Sequence, residues 1–82
     1  MKRSELSKEK IGLLNKVSQD CFEMVLKLNE IGINKSVDAY VDYYLANSNI
    51  PELEMVYHEF GEDEISLLYA ELREAIKGAL QL

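Results

Sequence analysis

The sequence predicts an all-α domain: a compact antiparallel bundle of about four helices, with a long first helix and a short third. Apolar residues recur at steps of three and four in four successive stretches. No stretch of useful length alternates apolar and polar residues with the period of a half-buried strand. Glycine, proline and asparagine separate the four stretches by short loops, which favours neighbouring helices packed against one another.

The first stripe runs Leu14, Val17, Cys21, Met24, Leu28 and Ile31, widened by Leu13, Phe22, Val25 and Leu26. Ser4 or Ser7 can cap its start by accepting a free first-turn amide, and Gly32 supplies the left-handed backbone that ends it. About 25 residues at a rise of 1.5 Å gives a helix of roughly 37 Å. Asn34 or Ser36 can cap the second helix, whose face is Val37, Tyr40, Val41, Tyr44 and Leu45.

After "ANSN", Asn49 is the expected cap of the third helix, with Pro51 in its first turn and Glu52 three residues beyond the cap. Leu53, Val56, Tyr57 and Phe60 form its face, and Gly61 is expected to end it. The carboxylates of "EDE" at 62–64 then sit at the electropositive start of a fourth helix. Its stripe is Ile65, Leu68, Leu72, Ala75 and Ala79, with Tyr69, Ile76 and Leu80 alongside.

The 82 residues make one domain, 1–82, with any disorder confined to residues 1–5. An apolar fraction of 48% with 29% charged residues is that of a folded, soluble chain. A chain this short buries only about 60% of its unfolded surface, which leaves little room for an enclosed active site. The lone Cys21 excludes an internal disulfide, and "MKRSELSKEK" leads into no apolar run of signal-peptide or membrane-spanning length, so a cytoplasmic protein is expected.

Enzyme chemistry finds little footing. Cys21 lies mid-stripe, where a free cysteine is a small buried hydrophobe. With one Cys and one His, the familiar zinc spacings need a second chain. His58 and Glu62 would lie one turn apart on a continuous helix, but Gly61 intervenes, and Met55 stands where a Glu-x-x-His motif needs its glutamate. No glycine-rich phosphate loop or G-x-S-x-G elbow occurs. No catalytic residue, cofactor or metal site is therefore expected.

Charge is segregated along the chain. Residues 1–35 carry seven Lys/Arg and five Asp/Glu, whereas residues 36–82 carry two and ten, giving +2 and −8 within a net −6. From Ser36 to Leu72 there are nine acids and no Lys or Arg. A recognition helix in the corner "EIGINKSVDAYVDYYL" would have to neutralise phosphates, yet it offers Asp38, Asp42 and three tyrosines. The basic start, Lys2, Arg3, Lys8 and Lys10, is the only strip suited to phosphate contact.

In size, acidity and helix count the chain is similar to acyl carrier proteins, which carry a prosthetic arm on a serine in an Asp-Ser-Leu signature. Here Ser36 sits in "NKSVD" with Lys35 before it, and is read as a cap. The chain also resembles the immunity proteins that neutralise nuclease bacteriocins, which set tyrosines and carboxylates around a short third helix. The comparable stretch is "VDYYLANSNIPELEMVYHEFGEDE", and the likeness is one of mechanism.

The expected function is that of a small acidic inhibitor, immunity or regulatory adaptor protein. It would occlude a basic surface of a partner protein through Asp38, Asp42, Tyr43, Glu52, Glu54, Tyr57 and Glu59, with Tyr43 an exposed aromatic anchor ringed by acids. The alternative is a dimeric nucleic-acid-binding transcriptional regulator using the basic start. Homodimerisation would suit either, because the long first helix leaves apolar surface to cover. Neither reading involves a membrane.

Overall fold

The computed structural model of the chain describes residues 2–81. A 3-10 turn at Arg3–Glu5 precedes α1 (Lys8–Glu30), α2 (Val37–Asn47), α3 (Pro51–Glu59) and α4 (Glu62–Leu80). Ser7 and Ser36 cap α1 and α2, each hydroxyl accepting from the amide three residues on, at 3.2 and 3.1 Å. α1 ends in a Schellman turn: Ile33 N–H donates to the Leu28 carbonyl at 3.0 Å and Gly32 N–H to that of Asn29 at 3.1 Å. Gly32 takes φ +88°, the left-handed backbone expected of it.

Two caps differ from the sequence reading. Ile50, not Asn49, is the N-cap of α3, with no side-chain hydrogen bond. Pro51 occupies the first helical position and its ring forces the residue before it into the extended region, φ −67° and ψ 147°, so the proline decides where the helix starts. Gly61 does not end α3 through a left-handed turn. Phe60, buried and extended at φ −84°, ψ 132°, ends it, and Gly61 is the N-cap of α4.

α1 spans the long dimension of a 37 × 24 × 18 Å molecule. α4 packs along it in the same direction: Lys10 meets Glu64 near both starts, and Phe22 in the second half of α1 lies beside Gly78 near the end of α4. The expected antiparallel packing holds for α3, which returns along α1 from Ile50 beside Met24 to Phe60 beside Lys10. The reason is α2, which bridges the pair instead of running along it. Its first turn reaches α4 through Asp38 and Arg73, and its second half reaches α1 through Tyr44 and Asp20. With one helix spent crossing, only one return is made and α4 comes back parallel.

The core lies where α2 and α3 cover one side of the α1/α4 pair. Tyr40, Tyr44, Leu14, Leu68, Leu72 and Ile76 are its largest fully buried side chains. The two tyrosine hydroxyls are satisfied, Tyr40 donating to the Ile33 carbonyl at 3.0 Å and Tyr44 to Asp20 Oδ2 at 2.9 Å. Cys21 is fully buried among them, and burial, helped by the neighbouring Asp20 charge, pushes its thiol up to about 12. Cys21 is therefore expected to stay unmodified by a thiol-reactive dye at neutral pH in native buffer and to react fully in denaturant. Fast labelling of the native protein would show that the helix interface opens.

Candidate protein-binding surface

Each helix turns by about 100° per residue, so its buried positions fix where the others point. On α2, Tyr40, Val41 and Tyr44 face inward; Asp38 and Asp42 then share the flank toward α4, and Tyr43 lies on the opposite flank toward α1. On α3, Leu53 and Val56 face inward; Glu54 and Tyr57 share one flank, Glu52 and Glu59 the other. On α4, Tyr69 and Arg73 lie one turn apart on the flank that meets α2.

The seven residues singled out in the sequence thus divide. Asp38, Asp42, Glu54 and Tyr57 border one surface with Tyr69 and Arg73. Tyr57 is 48% exposed and Tyr69 37%. They lie close enough for Tyr69, after burial and ahead of Glu54, to contribute to raising the Tyr57 phenol above its ordinary pKa. Asp38 accepts from Arg73 Nε at 3.2 Å, so the one guanidinium on this flank is already engaged. Asp42 and Glu54 remain exposed, Glu54 with only His58 4.0 Å away.

Tyr43 is not the exposed anchor expected. It is half-buried, lining a shallow cleft with Asp20, Met24, Lys27 and Leu28 of α1, and Lys35 Nζ lies 5.2 Å from its ring centroid. Its neighbourhood mixes Asp20, Glu23 and Lys27 of the first helix with Lys35 of the following loop, in place of the ring of acids from α2 and α3. Tyr69 joins the surface of Glu54 and Tyr57 although its place beside the α4 stripe marks it equally as a core residue, and its neighbour Tyr57 is supplied only by the packing of α3.

The basic start is folded back onto the acids of α4. Arg3 Nε pairs with Glu71 at 2.7 Å and Lys10 Nζ with Glu64 at 2.7 Å, above the Phe60 ring at 5.7 Å. Glu64 also accepts from the Gly61 amide at 2.9 Å, and this bond first, with Lys10 second, holds its carboxyl below the usual carboxylate range. A depressed folded pKa stabilises above the unfolded pKa and is lost as pH falls through the folded one. Glu64→Gln should therefore lower the urea midpoint at neutral pH and flatten its decline in acid, compared with the parent over the same pH series.

His58 and Glu62 lie on separate helices, α3 and α4. Among the described residues no group of three or more His, Cys, Asp or Glu side chains is placed to hold a metal ion, and no helix is long and apolar enough to cross a membrane. No protein-family model matches the chain, and neither does any curated protein or solved structure.

Proposed function

We propose that the protein is a small acidic inhibitor, immunity or regulatory adaptor of the cytoplasm that occludes a basic surface of a partner protein, and that it is not an enzyme. The observation that carries this reading is the exposed Tyr57–Tyr69 pair beside Glu54, with the exposed Asp42 one turn along α2 from Asp38, which holds the guanidinium of Arg73. Paired tyrosines offer large contact area at small entropic cost, and unpaired carboxylates around them raise the encounter rate with a Lys/Arg-rich surface. Glu52 and Glu59, on the far flank of α3, add to the long-range field without entering the contact.

The nucleic-acid reading has less support, because Arg3 and Lys10 are engaged with Glu71 and Glu64. The test is a tagged pull-down from host lysate at moderate salt, with and without nuclease. A stoichiometric basic protein that survives nuclease and is lost with Tyr57→Ala supports the proposal. Nucleic acid in the eluate that is lost with Lys2→Ala/Lys8→Ala would overturn it. Deleting residues 1–10 is unsuitable as that control, since Leu6 is buried in the core and Ser7 caps α1.

A further inference from the structure

The chain seats its own cations over aromatic rings at two places. Lys10 Nζ lies 5.7 Å from the Phe60 centroid and 2.7 Å from Glu64, and Lys35 Nζ lies 5.2 Å from the centroid of Tyr43, whose cleft also holds Asp20 and Glu23. Tyr57 and Tyr69 are the two exposed aromatic side chains, close enough for their phenols to act on one another, with Glu54 beside Tyr57. Among the described residues no Lys or Arg lies over either ring. The segment that carries them, Ser36 to Leu72, contains no Lys or Arg that could supply one.

We propose that Tyr57, Tyr69 and Glu54 form a receiving site for one arginine side chain of the partner protein, its guanidinium lying flat on the tyrosines with its fork on the Glu54 carboxylate. The inference rests on the proposed function and narrows the partner's chemistry from a basic surface to an arginine. A guanidinium is planar and weakly hydrated, so it can stack on a ring face and still direct two N–H groups at a carboxylate beside that ring. An ammonium is a strongly hydrated point charge and gains less from a broad aromatic face. Glu54 and Tyr57, three residues apart on α3, have Cβ atoms about 5–6 Å apart, the separation such a contact spans. The Glu54 carboxylate meets only the His58 imidazole, at 4.0 Å, so its oxygens are open to a donor. Half or more of each tyrosine is covered by the fold, which holds the rings in place before a partner arrives. One turn from Tyr69, a guanidinium is already bound to a carboxylate, Arg73 Nε donating to Asp38 at 3.2 Å.

The experiment is an NMR titration of the isotope-labelled full chain with two blocked peptides of equal charge, tetra-arginine and tetra-lysine, with circular dichroism melts confirming that each variant folds. The expected result is shifts centred on Glu54, Tyr57 and Tyr69, with tetra-arginine binding about threefold or more tighter than tetra-lysine. Tyr57→Leu and, separately, Tyr69→Leu should remove most of that preference, and Tyr57→Phe should keep it, because the ring face and not the hydroxyl makes the contact. Glu52→Gln, on the far flank of α3, should leave the preference unchanged. Equal affinities overturn the arginine site. So does a preference that survives both leucine variants, a set of shifts centred elsewhere, or binding of neither peptide. The pull-down reads the other claim: a basic partner captured through Tyr57, with the two peptides bound alike, would sink the arginine site and leave the proposed function standing. An arginine preference with no basic partner in the lysate would do the reverse.

Discussion

Tyr44→Ala is expected to cost about 3–5 kcal/mol, the range for truncating a fully buried aromatic side chain. Against a total of about 5–15 kcal/mol for a small domain, that removes a large share of the stability. The ring is fully buried where α2 meets α1, and its hydroxyl donates to Asp20 Oδ2, which also accepts from Ser48 Oγ at 3.3 Å. Truncation leaves a cavity and takes one of two donors from a half-buried carboxylate. Tyr44→Phe keeps the ring and removes only the hydrogen bond, so it should cost about 1 kcal/mol. The two costs, read from urea midpoints, separate packing from polar linkage. With about 4–8 °C per kcal/mol at this chain length, Tyr44→Ala should melt at least 12 °C below the parent. Equal losses from the two variants would show that the ring does not fill the core.

Asp42→Lys with Glu54→Lys should weaken partner binding by about thirtyfold or more, corresponding to about 2 kcal/mol. Both carboxylates are exposed, Glu54 beside Tyr57 and Asp42 one turn along α2 from Asp38, so reversal should leave the fold intact while replacing attraction to a basic partner by repulsion. Most of the loss should fall on the association rate, and high salt should narrow the gap between variant and parent. Surface plasmon resonance against the captured partner separates the rates. Glu52→Lys with Glu59→Lys makes the same change of net charge on the other flank of α3, and should cost much less. Equal losses from the two pairs would mean that net charge governs binding and that the tyrosine surface is not the contact.

Much of this architecture is legible in the chain. Four apolar stripes specify four helices, and Ser7, Ser36 and Gly32 mark three of their boundaries, because caps and helical periods are set by residues within a few positions of one another. The buried state of Tyr40, Tyr44 and Cys21 follows from the same periodicity. Pro51 carried its own signal: the constraint it places on Ile50 outranks the capping preference of Asn49.

Other features depend on contacts between distant parts of the chain. The direction of α4 along α1 follows from α2 crossing the pair, which no helical stripe encodes. Tyr43 and Tyr57 each lie at the edge of an apolar face, and their surroundings differ because Tyr43 meets the lysines of α1 and its loop while Tyr57 meets Tyr69. The basic start looked free in sequence, yet Arg3 and Lys10 find carboxylates 68 and 54 positions away. Local periodicity determines which residues are buried, and only the packing of the helices decides which exposed side chains become neighbours, since a charge or an aromatic edge is defined by what another helix brings to it.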